Sequence, residues 1–417
     1  MCTPQRMVFV LLLWSFPVTW TKAQDTLRLT IEQAEAILIK ENLALVAGHY
    51  DVDIAEAQVL QAKAWNNPYL NWNQDMYSVE LNQYFNYKNQ FLVQVDLVFS
   101  IAGKHTNTVK LAKANSEMNK LMLRDVMRSL VLSLNEQYHT LSNLQQKQLI
   151  YEQVLERYRQ VIEAGENQLR VGAIAANEVI RLRSEQIALQ TEALGNSNQI
   201  VEAMAQLRTL LNLRPDVYLL ARERMPLQAE PPLDSLFSLG LQNRTDYLLA
   251  QKNIQYQEAN LKLQRSLAYP DLTFGYQPKD KGSNYVRPYS GLELGFEMPL
   301  FNRNTGNIKT AEIQVKKAET QKAQQHNALL NEVAASYYKL LETKKCLANY
   351  TESLQSLMED MNDNASKSYT KRNISLLEYI DLQRIYIQNK MQYTDLLHQY
   401  LLSVDYLNFS VGINAIK

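Results

Sequence analysis

Along two very long stretches of this chain, apolar residues recur at helical spacing. Along four short stretches they alternate one-for-one with polar residues. The first long stretch, Lys104 to Ala164, holds no glycine or proline. A continuous helix of about 60 residues would be ~90 Å long. The second, Asn307 to Val411, is roughly one hundred residues without either breaker, several times an ordinary helix. Leu121, Leu123, Val126, Leu130, Leu134, Tyr138, Leu141 and Leu144 form one stripe amid Lys, Asn, Gln and Glu. Such a stripe is the seam of a coiled coil or helix bundle. The alternating stretches are Pro68 to Tyr77, Phe91 to Phe99, Asp271 to Pro278 and Ser290 to Leu300. Each has an apolar face and a polar or acidic one, the period of a half-buried strand. The pattern predicts a mainly α fold with a small β part.

The elements occur twice. "LRVGAIAANEVIRLRS", from Leu169, lies over "SYTKRNISLLEYIDLQ", from Ser368, with Ile174 on Ile374, Glu178 on Glu378, Ile180 on Ile380 and Leu182 on Leu382. "WNNPYLNWNQ" lies over "LAYPDLTFGY", and "QVDLVFSIAGKHTNTVKLAKA" over "GFEMPLFNRNTGNIKTAEIQVKKA". The offset stays near two hundred residues, which marks an internal duplication. The expected organisation is a leader over 1–23, a first repeat over 24–211, a linker over 212–235 and a second repeat over 236–417. Pro226, Pro231 and Pro232 interrupt helical periodicity in the linker. Gly165 and Gly172 bracket the kinked motif of the first repeat, and Asn362, Asn364 and Asn373 weaken the helix in the second. A reversal there folds each long run into an antiparallel hairpin with the motif at its tip.

Composition narrows the class. Lys and Arg total 43, as do Asp and Glu, so the chain has no electrostatic footprint for nucleic acid. "MVFVLLLWSFPVTW" after Arg6, followed by "TKA" before Gln24, is the pattern of a secretory signal peptide. Its removal leaves Cys346 alone and excludes a disulfide framework. No later stretch is apolar enough for a spanning helix, which leaves a β-barrel open. The five histidines are scattered, and metal-ligand pairs, cysteine clusters and phosphate loops are missing. Neither a cofactor nor an enzymatic activity is expected.

Strands of about ten residues are long enough to cross an outer membrane at a tilt. Four of them cannot close a barrel, because the smallest have about eight. An open edge in lipid would strand its backbone groups. If the strands lie in a membrane, several chains must share one barrel, and three would supply twelve strands. Tyr69, Tyr77, Phe91, Phe99, Tyr276 and Phe301 then suit the interfacial aromatic girdles. A soluble sheet covered by helices has the same alternation.

The words "NPYL" and "YPDL" that open strands, "VDLVFSIAGK" and "FEMPLFNRNTG" that leave them, and the tip words "LRVGAIAANEVIRLRSEQ" and "YTKRNISLLEYIDLQRIY" occur in order, twice and at constant spacing. In this they resemble the TolC family of outer-membrane efflux channels over the whole mature chain. The resemblance implies a homotrimer with a twelve-stranded barrel in outer-membrane lipid and a helical tunnel across the periplasm of a Gram-negative bacterium. It implies a periplasmic adaptor protein and an inner-membrane transporter of RND or ABC type as partners, and passive conduction outward.

The resemblance also implies a gate at the tips. Tyr369 fits the family's aromatic position, Arg372 stands where glycine is expected, Glu378 takes the acidic place, and Asp381 follows one turn later. Residues at i and i+3 share a helix face, so three copies would stack two acidic rings, a cation-attracting constriction. In the first repeat Gly172 and Glu178 fit, whereas Arg181 replaces the second acid. Arg170, Arg181 and Arg372 are candidates to pair with Glu378 or Asp381 of a neighbour and hold the tip shut. Asp96, Glu293 and Glu297 on the polar strand faces would line the barrel lumen. A periplasmic adaptor has one hairpin and more β structure, and an envelope coiled coil has no use for apolar strand pairs. Both remain as alternatives.

Overall fold

The protein is described by a computed structural model over residues 26–74, 76–79, 82–85, 91–221, 231–281 and 287–416. The leader expected over 1–23 lies outside these residues. The first half runs β1 (Thr26–Leu29), α1 (Ile31–Glu41), α2 (Leu43–Lys63), β2 (Tyr69–Gln74), β3 (Tyr77–Ser78), β4 (Gln83–Tyr84), β5 (Phe91–Phe99), α3 (Lys104–Arg170) and α4 (Ala176–Leu210). The second runs β6 (Tyr218–Ala221), α5 (Leu233–Asn243), α6 (Thr245–Ser266), β7 (Leu272–Asp280), β8 (Tyr289–Phe296), α7 (Thr305–Leu347), α8 (Glu352–Thr370) and α9 (Leu376–Val411). Among the described residues no helix is long and apolar enough to cross a membrane.

α3 is the axis of the molecule. Near the sheet it packs against α2 and α6, and toward the far tip against α4 and α9. α7 packs on α6 and α9 at the side away from α2 and α4. The shorter helices are stacked end to end beside the long ones. Asn42 caps α2 by accepting from Ala44 N at 2.9 Å, while its Nδ2 donates to Leu210 O at the end of α4, 2.8 Å away. One amide thus satisfies orphan groups at two helix ends. In the second half the same joint is made by Arg244, which reaches Ser410 O at 3.4 Å and is held by Asp246 at 2.8 Å.

Three apolar cores follow the long axis. Leu134, Tyr138 and Leu141 of α3 pack with Leu38 and Leu207, and Leu236, Val333 and Leu407 form the second-half counterpart. At the tip Val154, Tyr158 and Leu182 of the first half pack with Tyr379, Ile380 and Tyr386 of the second. The two hairpins are therefore one packed body there.

β2, β5, β7 and β8 form one antiparallel sheet in that order, so β5 and β7 join the halves at its centre. Across it Leu70 faces Val95, Val95 faces Tyr276, Tyr276 faces Leu292, and Phe274 stands between Leu97 and Leu294. This apolar face is exposed, Trp72 and Leu292 by 68% and 72%. Pro278 sits in an interior strand, where it would cost a ladder bond. Both of its ladders slip register beside it, as a bulge at proline requires.

Several sequence expectations are corrected. α3 continues through Gly165, which is a packing position rather than a break: a Cβ there would meet Ile174, Val179 and Leu182 at 3.7, 3.7 and 3.9 Å. Asn362 and Asn364 lie inside α8, and of the three asparagines only Asn373 is in the turn. The second long run has an extra break at residues 348–351, ended by Thr351, whose side chain caps α8 by accepting from Leu354 N at 3.3 Å. Tyr69 is opposite Asp96 and so lies on the polar sheet face, not with the apolar aromatics. The linker holds a strand that helical periodicity does not reveal: β6 pairs in parallel with β1, from Thr26 opposite Tyr218 to Leu29 opposite Ala221.

Candidate functional site

The two tip turns, residues 171–175 and 371–375, are built alike. Gly172 N donates to Leu169 O at 2.9 Å and Ala173 N to Gln168 O at 2.8 Å. Arg372 N donates to Tyr369 O at 2.9 Å and Asn373 N to Ser368 O at 2.8 Å. This is the paired closure of a helix C-terminus, with a left-handed residue after the cap.

The following helices start differently. α9 opens with a capping box: Ser375 accepts from Glu378 N at 3.2 Å, and Glu378 Oε2 accepts from Ser375 N at 2.8 Å. These bonds hold the Glu378 carboxyl below its usual range. In the first half Ala175 stands at the cap and offers no side-chain acceptor. Glu178, relieved of capping, accepts instead from the Tyr369 hydroxyl at 3.4 Å. Burial, together with Glu178, pushes the Tyr369 phenol up to about 12. The duplicated glutamate thus does two jobs: one caps its own helix, the other ties the two hairpins.

The tie is reinforced on several sides. Arg372 donates to Ala173 O across the turns. Gln168 donates to Thr370 O at 3.2 Å, Arg157 meets Asp363 at 2.6 Å, and Arg384 pairs with Glu185. Tyr369 stacks on Tyr379 with centroids 5.1 Å apart. The structure brings Tyr369, Arg372 and Glu178 together. It leaves Glu378 and Asp381 exposed on α9, Arg181 exposed on α4, and Arg170 beside Asn167 of its own helix.

A buried polar pair between α8 and α9 is the tip feature that sequence reasoning missed. Gln383 Nε2 donates to Asn362 Oδ1 at 2.9 Å, and both side chains are fully buried. Asn362 stands where the first repeat has Ile162. Comparison of the copies held that signal, a polar residue at an apolar stripe position.

At the other end of the molecule Gln94 organises the polar face of the sheet. Its Nε2 donates to Asp96 Oδ1 at 2.6 Å and to Glu293 Oε2 at 2.7 Å, and its Oε1 accepts from Gln277 Nε2 at 2.8 Å. Gly275 makes the room: a Cβ there would come within 2.6 Å of Asp96 Oδ1 and 2.9 Å of Gln94 Nε2. Glu297 lies one residue beyond the end of β8, outside this network. Among the described residues no group of three or more His, Cys, Asp or Glu side chains is arranged to hold a metal ion.

The chain matches the outer membrane efflux protein family over residues 36–213 and again over 236–412. It is 20% identical over 378 residues to the cobalt-zinc-cadmium resistance protein CzcC of Cupriavidus metallidurans, a match covering 89% of this chain and 87% of that one. Among solved structures it superposes on the outer membrane protein VceC of Vibrio cholerae with a TM-score of 0.73 at 15% identity, covering 92% of this chain and 96% of the other. It superposes on the CmeC outer membrane channel of Campylobacter jejuni with a TM-score of 0.76 at 13% identity, covering 92% and 85%.

Proposed function

The chain belongs to the outer membrane efflux protein family, and from that premise we propose that three copies form the exit duct of a tripartite efflux pump. The duct would sit in the outer membrane of a Gram-negative cell with its helices in the periplasm. It would meet a periplasmic adaptor at the tips, receive cargo from an inner-membrane transporter of RND or ABC type, and use no fuel itself.

One observation carries this reading. The four-stranded sheet has one largely apolar, exposed face and two open edges, β2 and β8. Successive antiparallel pairing makes β2 and β8 run in opposite senses, so β8 of one copy can continue antiparallel to β2 of the next. Three copies close twelve strands, above the minimum of about eight, and no edge is left in lipid. The polar face with Gln94, Asp96 and Glu293 then lines the lumen, and Glu378 with Asp381 ring the tip.

The resistance named for the relative from Cupriavidus metallidurans concerns metal cations. The acids of the sheet face and of α9 favour cationic cargo in this chain as well.

Single-channel current from purified protein in a planar lipid bilayer tests the proposal, with wild type beside Glu378→Gln/Asp381→Asn. Small cation-preferring steps whose selectivity weakens in the variant are expected. Steps unchanged by the variant would keep the duct and remove the gate from these two residues. A folded trimer that stays non-conducting in both forms, and also after Arg372→Gly and Arg384→Ala cut the ties of the tip, would overturn the duct.

A further inference from the structure

The bulge at Pro278 decides which charges the far end of the sheet turns outward. β7 leaves α6 with Leu272, Phe274 and Tyr276 on the apolar face, and with Gln277 on the polar face, where it bonds Gln94. Strict alternation from there would put Asp280 on the apolar face and Lys279 and Lys281 on the polar one. Instead, one extra residue enters both ladders. Val95 is opposite Tyr276 but Val93 is opposite Lys279, and Gln277 is opposite Gly291 but Asp280 is opposite Tyr289. A slip of one residue exchanges the two faces. Lys279 therefore joins Val93 and Trp72 in one row of the apolar face. Lys281, whose N–H donates to Phe91 O at 3.0 Å, continues the ladder on that same face. Asp280 turns to the polar side with Tyr289. Ser290 holds the bulge, its hydroxyl donating to Pro278 O at 2.8 Å. Lys279 is exposed, and among the described residues neither ammonium has an ion-pair partner.

We propose that Lys279 and Lys281 bind the phosphate of an anionic lipid in the outer-facing leaflet, with Val93 and Trp72 against its acyl chains. The site rests on the duct reading in one respect, that the sheet lies in a membrane. A lysine on a lipid-facing strand is costly at mid-depth and nearly free at the interface, and its stem carries the ammonium to the headgroups. Same-face neighbours on a strand are about 7 Å apart, so both side chains reach one phosphate. A lipid fits better than free phosphate because the two ammonium groups rise from the apolar side chains of Phe91 and Val93. The bulge keeps Asp280, which would repel that phosphate, on the other face.

Trp72 is a reporter in the same row as Lys279. With Trp14→Phe, Trp20→Phe and Trp65→Phe in the full-length protein, it is the sole tryptophan. The protein is reconstituted in vesicles of phosphatidylcholine mixed with phosphatidylglycerol, one or the other carrying bromine on its acyl chains to quench the indole. Phosphatidylglycerol should be enriched beside Trp72 by about fivefold or more, the effect of one lysine at a charged lipid surface. Lys279→Gln/Lys281→Gln should remove the enrichment, and Lys279→Arg/Lys281→Arg should keep it. Both positions lie outside the packed cores, so the variants should retain the helix content of the parent. Quenching without preference, a preference that survives the glutamine variant, or one lost in the arginine variant would overturn the lipid site and leave the duct standing. No quenching by either brominated lipid would take the sheet out of the membrane and overturn both.

Discussion

Gly172 and Arg372 hold the same place in the two tip turns, and both have left-handed backbones, with φ of 73° and 62°. Glycine takes this conformation freely, whereas a residue with a Cβ gives up about 1–2 kcal/mol. Arg372 offsets the strain with its bond to Ala173 O. Arg372→Val, which adds β-branching and removes the bond, should therefore destabilise the protein by about 1–2 kcal/mol. Arg372→Gly exchanges strain for the lost bond and should stay within about 1 kcal/mol of the parent. Thermal unfolding of the two variants decides; a valine variant as stable as the glycine one would show that the turn bears no strain.

The capping role of Glu378 separates from any role of its charge. Its carboxyl is held below the ordinary value of 4.5 by Ser375. A group with a depressed folded pKa stabilises the fold above the unfolded value, and that contribution disappears as pH falls through the folded one. Glutamine also completes a capping box but does not titrate. Wild type should thus unfold at a higher temperature than Glu378→Gln at neutral pH, with the gap closing below about pH 4.5. A gap that persists in acid would assign the difference to packing.

Buried and incompletely satisfied, the Asn362 and Gln383 amides make the α8–α9 hairpin depend on their mutual bond. Asn362 Nδ2 and Gln383 Oε1 have no partners. Asn362→Leu alone removes the acceptor from a buried amide and should cost about 1–3 kcal/mol. Adding Gln383→Leu should restore most of that loss, because replacing both partners by apolar groups can be nearly neutral. Additive losses in this double-mutant cycle would mean the two amides act separately.

The strands, the long helices and the duplication are legible in the order of residues because each rests on a short-range period. The faces of Phe91–Phe99 and the hairpin reversals at both tips follow from that order alone. What is less legible depends on partners far along the chain. Asn362 resembles a helix weakener until Gln383 is seen opposite, and Gly165 resembles a break until α4 packs on it. β6 is four residues long and exists only through pairing with β1. The acids Asp96 and Glu293 stand out in the sequence, but Gln94, which binds both, has no local signature. Copy-to-copy comparison is the one sequence signal that would have separated Glu178 from Glu378: Ala175 stands where Ser375 supplies a cap.

Gly275 is a narrower test of the sheet. Gly275→Ala would drive a methyl into Asp96 and Gln94 and force the polar network apart. Overpacking of this kind costs about 1–3 kcal/mol. The temperature at which the proposed barrel dissociates in detergent should drop, while the helical tip is unaffected. A variant as heat-resistant as the parent would mean that the Gln94 network shifts at no cost.

Ile180, Ile187, Leu194 and Val201 lie one heptad apart on α4 and are 60%, 62%, 62% and 56% exposed. A stripe at that spacing is the seam of a helix partner, yet α4 packs chiefly against α3 on its other side. α4 shares its side of the molecule with α2 and β2, while α7 and β8 lie opposite. Joining copies at β8 and β2 would bring α7 of one copy toward α4 of the next, and the stripe would be covered. Ile187→Glu places a charge in the middle of that seam, where burial without a partner is strongly unfavourable. The variant should keep the helix content of the parent, because the position is exposed within the chain. It should also elute as a monomer in detergent, where the parent is expected to elute as the proposed trimer. Light scattering on the eluted peak reads the mass directly; a trimer that survives Ile187→Glu would place the contact between copies on another face.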